Sequence, residues 1–220
     1  SIQPLLVKAG DRVLLFDTGA GANFGPSAGS LPSALIAAGV QPGSVTDIFV
    51  SHIHGDHTGG LLTPEGQLAY PNAAIHLSKP EWDYLSRMTP DDAKNVGIAH
   101  HDALVATLKP KVAAFAPGAD LIPGVVQAVE IKGHTPGHSG YRITSGQNSL
   151  LYIGDAMHHS IVSVQKPDWT IHFDGNARTA EASRATLLKT VAADGQRLYA
   201  VHFPYPGLGK IETKDASYVW

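Results

Sequence analysis

This sequence predicts an α/β fold in which two mixed sheets, each built from a run of short strands, are faced by helices. Three observations carry that prediction. Short apolar runs rich in Val, Ile, Leu and Phe recur along the chain and stop at Gly, Pro or Asp, as strands do. Stretches with helical spacing of apolar residues are inserted between those runs. The composition, 43% apolar and 16% charged, is that of an ordinary globule able to bury such layers.

Taken in order, residues 4 to 8 and 12 to 16 read as a hairpin that turns at Gly10-Asp11. The Gly- and Ser-rich stretch 19 to 30 reads as a loop. Pro32 opens a helix to about Ala38, halted by Gly39. A strand over 46 to 51 and another over 73 to 77 follow, and Pro80 starts a helix to about Arg87. From Pro90 to Leu108 one helix is predicted, because Ala93, Val96, His100, Ala103, Leu104 and Leu108 recur at helical spacing. Asp91 and Asp92 suit its first turn, and His100 is expected on its buried face as a packed core histidine. Further strands are expected near 111 to 115, 125 to 131, 140 to 144 and 149 to 154. Residues 177 to 193 form an alanine-rich helix with Ala180, Arg184, Leu187, Leu188 and Val191 on one side, stopped by Gly195. A last strand, 197 to 202, delivers His202.

At 220 residues the chain suits one well-buried domain, and no repeat, low-complexity tract or linker divides it. The net charge of −3 offers no basic surface for a phosphate backbone, so nucleic acid is not an expected partner. No run approaches the roughly 20 apolar residues of a membrane span. The absence of cysteine excludes a disulfide framework and any thiolate ligand, and leaves the redox compartment open. The chain begins at Ser1 without a signal-like segment, which leaves the address open between cytoplasm and, after removal of a leader, periplasm or exterior. The twelve histidines are the anomaly.

Three of them fall in Ser51-His52-Ile53-His54-Gly55-Asp56-His57-Thr58-Gly59-Gly60, directly after the apolar run Ile48-Phe49-Val50. Side chains alternate along a strand, so His52 and His54 are expected to point to one side as the strand ends. Asp56 and His57 follow on a turn that Gly55 allows to bend sharply. Two pairs of ligands then face a common point, and imidazole with carboxylate suits zinc and its first-row neighbours.

These residues resemble the HxHxDH motif of the metallo-β-lactamase-fold hydrolases. Further motifs of that family appear in order: Leu14-Leu15-Phe16-Asp17-Thr18-Gly19, Gly133-His134-Thr135-Pro136-Gly137-His138, Leu150-Leu151-Tyr152-Ile153-Gly154-Asp155, and His202 in Tyr199-Ala200-Val201-His202-Phe203. The resemblance spans residues 14 to 203. It implies the αββα sandwich, with a metal site where strand ends meet. Members usually carry more strand ahead of the Asp-Thr-Gly turn than the 16 residues here, so an N-terminal piece is expected to be missing.

Carried onto matching positions, the family pattern implies that His52, His54 and His134 hold a first metal, that Asp56, His57 and His202 hold a second, and that Asp155 bridges them. A carboxylate is the side chain best able to share its oxygens between two ions. The expected cofactors are two divalent metal ions, zinc first, with iron, manganese or cobalt tolerated by the same ligands. Such a pair, about 3.5 to 4 Å apart, traps a bridging water and lowers its pKa toward neutrality, so that a metal-bridging hydroxide is the nucleophile. His138 is expected to support the site without ligating, and Asp17 to tie down its turn through backbone hydrogen bonds. Asp56 and His158 are the catalytic candidates. In lactonases of the fold a tyrosine near the place of His158 assists the substrate oxygen, so His158 is expected either to donate to substrate or leaving group, or to lie on a surface loop. Trp82, Tyr84, Trp169 and Phe173 are candidates for an apolar pocket. His76, His101 and His172 receive no role.

The reaction implied is hydrolysis of an ester, lactone or phosphotriester. Glyoxalase II enzymes carry a C-terminal helical domain, whereas only 18 residues follow His202 here. Class B1 β-lactamases use a cysteine ligand, which this chain lacks. Class B3 enzymes place a histidine where Asp155 stands, which counts against them but leaves them an alternative. A metal-binding or di-iron protein without hydrolysis is another. The segments 155 to 159, 164 to 169 and 202 to 209 look most like methyl parathion hydrolase and its lactonase-like relatives. The expected partner is a small-molecule substrate with an apolar body, acted on by a monomer or a homodimer.

Overall fold

Five strands of the N-terminal half hydrogen-bond in the order in which the chain makes them: β1 (Leu5–Ala9), β2 (Arg12–Phe16), β3 (Asp47–Phe49), β4 (Ala74–Ser78) and β5 (Val112–Phe115). The computed structural model describes residues 1–25 and 27–220. It resolves into two units, Ile2–Phe115 and, with Ser1, Ala116–Trp220.

In the N-terminal unit β1 and β2 form the expected antiparallel hairpin, and every later pairing is parallel. Parallel neighbours need a crossover, and helices supply it. These are α1 (Leu31–Ala37), α2 (Gly55–Thr58), α3 (Lys79–Arg87), α4 (Pro90–Asn95) and α5 (His101–Leu108). Leu15, Ile48, Ile75 and Leu77 of the strands pack with Leu35, Leu85, Ala93, Leu104 and Leu108 of the helices into one apolar cluster. At the start of β3 the buried Asp47 carboxylate accepts from Arg12 Nη1 at 2.9 Å, Thr46 Oγ1 at 2.7 Å and His76 Nε2 at 2.9 Å. Burial alone pushes its pKa up, but these three donors outweigh that and hold it below the usual carboxylate value.

The single helix expected over 90 to 108 is two helices. Gly97, at φ 79°, ends the first, and the chain restarts at His101. The break leaves His100 outside the second helix, as its N-cap at φ −128° and ψ 60°, while Leu104 and Leu108 are buried as expected. His100 is exposed, contrary to its expected core position, and His101 is buried in its place. Its Nε2 lies 2.8 Å from the Leu85 carbonyl, in the last turn of α3, and its Nδ1 lies 2.9 Å from Asp102 Oδ1. Burial opposes a charge on the ring, yet two acceptors favour it, and the net effect raises the pKa above 6.5. A raised folded-state pKa contributes stability that is complete below the unfolded value and lost as pH rises through the folded one. The melting temperature of the unmodified chain should therefore fall more between pH 5.5 and 8.5 than that of His101→Gln. Parallel curves would refute this clasp between α3 and α5.

The C-terminal unit carries a six-stranded mixed sheet in the order β11-β10-β9-β8-β7-β6. Its strands are β6 (Asp120–Ile122), β7 (Val126–Glu130), β8 (Ser139–Ser145), β9 (Asn148–Tyr152), β10 (Arg197–Tyr199) and β11 (Leu208–Gly209). Only β9 and β10 pair in parallel, and the connection between them holds α6 (Val162–Gln165) and α7 (Ala177–Asp194). Helix α7 begins at Asn176, whose side chain accepts from Thr179 N, and ends at Gly195 in the left-handed conformation. The five residues expected on its inner face are the buried ones. Leu187, Leu188 and Val191 pack on Leu151, Ile153, Leu198 and Phe203. A small hairpin, β12 (Glu212–Lys214) with β13 (Ser217–Val219), closes the chain.

β10 stops at Tyr199, so His202 sits in a turn beyond the strand, where Ala200 N donates to Gly207 O. Among the described residues no helix is long and apolar enough to cross a membrane.

Candidate functional site

Strand direction decides where the polar motifs emerge. In the N-terminal unit Phe16 pairs with Phe49 on a parallel neighbour, so Asp17 and the segment from Val50 onward leave the sheet at the same end. Asp17 N donates to the Phe49 carbonyl at 3.0 Å. Asp17 adopts φ 56°, a left-handed conformation that Asp tolerates better than most residues, and its buried carboxylate turns into the loop. Oδ1 accepts from Ser51 N at 2.7 Å; Oδ2 accepts from Ser51 Oγ and from His57 Nδ1, both at 2.7 Å. Asp17 therefore braces the backbone, as expected, and also grips a histidine of the motif.

His52 and His54 follow β3, and their rings meet edge to face at 4.6 Å; the His52 and His57 rings lie 4.0 Å apart. Asp56 and His57 stand on the short helix α2, with Asp56 Oδ2 3.5 Å from His57 Nε2. Gly55 starts α2, but the expected reason for glycine there is replaced by another. Its φ is not in the left-handed region. What excludes a side chain is space: a Cβ would collide with the Gly97 carbonyl, and Gly55 N donates to Val96 O at 2.8 Å. The motif loop is also held by Glu81, fully buried on α3, whose Oε1 accepts from Ile53 N at 3.0 Å. Trp82 and Tyr84, candidates for an apolar pocket, are partly buried against the core of this unit, and Tyr84 also lines a cavity with Arg87, Met88, Asp92, Asn95 and Val96.

The C-terminal unit repeats the logic. Tyr152 pairs with Tyr199 on parallel strands, and Asp155 and His202 each lie three residues further on (155 − 152 and 202 − 199). β8 runs antiparallel to β9, so the turn ahead of Ser139, carrying His134 and His138, lies at that same end. Asp155, 3% exposed, presents Oδ1 3.0 Å from His202 Nε2 and Oδ2 3.4 Å from His134 Nε2. His138 Nδ1 donates to the Ile131 carbonyl at 2.8 Å, while its Nε2 accepts from Asp155 N at 2.9 Å. Both nitrogens of His138 are thus engaged in holding the backbone beneath Asp155.

His158 does not lie on an outer loop. Its Nε2 is 3.0 Å from Asp155 Oδ2, and it stacks on His202 with ring centroids 5.3 Å apart. His134, Asp155 and His158 offer ligand atoms within 4.8 Å of one another. His158 is not among the ligands expected from the sequence, and neither is Asp174 among the expected site residues, although its Oδ1 accepts from His134 Nδ1 at 2.9 Å. The signal for it was indirect: Arg184 on the buried face of α7 demands an anionic partner. His172 is exposed beside Phe173, and Trp169 and Phe173 stand out at 58% and 65% exposure.

The donor set fits divalent ions. Metal-binding imidazoles are held through one nitrogen so that the other offers its lone pair. Here the Nδ1 of His52 meets Ser51 Oγ at 3.0 Å, that of His57 meets Asp17, that of His134 meets Asp174, and that of His202 meets the Ser1 carbonyl at 2.8 Å. Each Nε2 is then the nitrogen that carries the lone pair. The remaining donors are one more imidazole and two carboxylates, a hard and borderline set with no thiolate.

Comparison with known proteins agrees with this pattern. The family model of the metallo-beta-lactamase superfamily matches residues 3–202. A hydroxyacylglutathione hydrolase of Shewanella baltica (strain OS195) is 31% identical over 164 residues, 72% of this chain and 48% of that protein. The chain spans about half the length of the curated relatives it matches. Among solved structures, AidC, a dizinc quorum-quenching lactonase in complex with a product N-hexanoyl-L-homoserine, superimposes with TM-score 0.91 at 32% identity, covering 100% of this chain and 78% of AidC. The hydrolase AbOPH of the beta lactamase superfamily gives TM-score 0.89 at 30% identity, with 100% and 78% coverage. A family match over residues 3–202, with mixed sheets flanked by helices and imidazoles presented in this manner, makes the chain a member of the metallo-beta-lactamase superfamily.

Proposed function

We propose that this chain is a dinuclear metal-dependent hydrolase that cleaves an ester, lactone or phosphotriester. His52, His54 and His134 would hold one ion, Asp56, His57 and His202 the other, and Asp155 would serve both. The observation that carries the reading is the set of four imidazoles anchored at Nδ1, two of them facing one buried carboxylate through Nε2. Two divalent ions, zinc first among them, would supply Lewis acidity to the substrate oxygen and acidify the attacking water. The similarity to a dizinc quorum-quenching lactonase supports a lactone among these substrates, and the similarity to the hydrolase AbOPH supports hydrolysis.

His158 is assigned proton donation toward the leaving group. Its Nε2 adjoins Asp155, and its Nδ1 is buried and meets no hydrogen-bond partner among the described residues. The exposed Phe173 ring, 6.1 Å from that imidazole, favours a substrate with an apolar body. His158→Ala should keep both metals and lose turnover by roughly 10²- to 10⁴-fold, the range of general acid–base catalysis. Full metal content with unchanged turnover would dispose of this role. Loss of an ion would instead make His158 a ligand.

A second reading has its own support, since the curated relatives are hydroxyacylglutathione hydrolases and thioester cleavage needs the same chemistry. Metal-loaded protein tested against an acyl-homoserine lactone, an aryl ester, a methyl phosphotriester, a β-lactam and an acyl-glutathione thioester separates the readings. The highest kcat/KM on one of the first three supports the proposal, the thioester supports the alternative, and no turnover with two ions bound favours a binding protein.

A further inference from the structure

Asp174 and Arg184 form an ion pair sealed from water, with side-chain exposures of 0% and 1%. Arg184 Nη2 donates to Asp174 Oδ2 at 2.8 Å, and the other oxygen of that carboxylate holds His134 Nδ1. The guanidinium has further work. Nε donates to the Ala156 carbonyl at 3.0 Å, and Nη1 donates to the carbonyls of Pro167 at 2.8 Å and Trp169 at 3.2 Å. The backbone doubles the tie to the histidine turn: Gly175 N donates to His134 O and Asn176 N to Gly133 O, each at 2.9 Å. A Cβ on Gly133, which sits at φ 126°, would collide with the backbone at Ala180, so this turn lies directly on the first turn of α7.

Burying an ion pair is costly, and apolar residues of similar volume often serve stability as well or better. Such a pair inside a helix–sheet interface calls for a role that apolar residues could not fill. A carboxylate behind an imidazole fixes the tautomer and ring orientation and raises the basicity of the opposite nitrogen. A carboxylate left alone in a dry site would lose its charge or swing away. Arg184 neutralises it through Nη2 while Nε and Nη1 of the same planar fork hold backbone carbonyls, a spread of donors that lysine cannot copy. The same guanidinium holds the carbonyl next to Asp155, so one side chain braces His134 and the segment carrying Asp155.

We infer that Asp174 and Arg184 are positioning residues, which set the orientation and donor strength of His134 toward the ion it holds. This rests on the metal reading proposed above. The test compares the unmodified chain with Asp174→Asn, Asp174→Ala and Arg184→Lys. Each is loaded with Co²⁺ or Zn²⁺, and the readouts are metal equivalents under chelator competition and the visible absorption of the cobalt form. One of the two ions should bind about 10- to 100-fold more weakly in each variant, the range seen when such supporting partners are lost. The cobalt spectrum should shift, and the other ion should bind within about twofold of its original affinity. The near-isosteric Asp174→Asn is the primary variant, with Arg184→Lys in reserve should it fail to fold. Variants that melt earlier but bind both ions with unchanged affinity and spectrum would overturn the inference and leave the metal reading intact. An unmodified chain that takes up no metal would remove both.

Discussion

Asp155→Ala should bind one divalent ion where the unmodified chain binds two, with turnover reduced by at least about 10²- to 10³-fold, the scale of losing one electrostatic stabiliser of the transition state. The reason is geometric. Its two oxygens face different imidazoles, Oδ1 toward His202 and Oδ2 toward His134 and His158. No imidazole can divide its donation in this way, since one lone pair serves one ion. Asp155→Asn keeps the volume and one oxygen, so it should fall between alanine and the unmodified chain. Elemental analysis of protein purified without added metal, together with steady-state rates, decides the matter. Two retained ions and normal turnover in the alanine variant would remove Asp155 from the centre of the proposal.

Gly55→Ala should lower stability by about 3 kcal/mol, the upper end of the usual cost of overpacking, because the clash is with backbone. For a chain of this size that is a fall in melting temperature of roughly 6 to 12 °C. The new Cβ would meet the Gly97 carbonyl, and the 96–98 segment cannot retreat freely because Val96 O accepts from Gly55 N and Ile98 is buried. The motif helix would have to move instead, so ion binding by His54, Asp56 and His57 should weaken as well. Thermal denaturation with and without metal reports both effects. An unchanged melting temperature would contradict the close approach of the two loops.

The elements legible in the sequence were those with strong local signals. The hairpin at Gly10-Asp11, α1 with its proline start, and α7 with its inner face of Ala180, Arg184, Leu187, Leu188 and Val191 all form as their patterns predict. The misreadings share a cause. Apolar residues from Ala93 to Leu108 keep helical spacing across Gly97, and the chain breaks there because Gly97 must pass beside Gly55. That contact joins positions 42 residues apart (97 − 55), beyond the reach of any periodicity. His101 consequently takes the buried place expected for His100. β6, α6 and β11 are too short for a pattern to register, and they exist because neighbouring strands or loops offer them hydrogen bonds.

The sequence by itself determined which residues are ligand types and in what order they come, because clustered histidines and aspartates after apolar runs are chemically conspicuous at any resolution of the fold. It could also place Asp17 and His138 in supporting roles. Only the tertiary structure decided which atoms do the supporting. Asp17 turned out to hold His57, Asp174 to hold His134, and Arg184 to hold Asp174, across separations of 40, 40 and 10 residues. His158 moved from an undecided loop to the side of Asp155. The physical reason is that ligand identity is a property of a side chain, whereas tautomer, orientation and basicity belong to a hydrogen bond, whose partner is chosen by the direction of neighbouring strands.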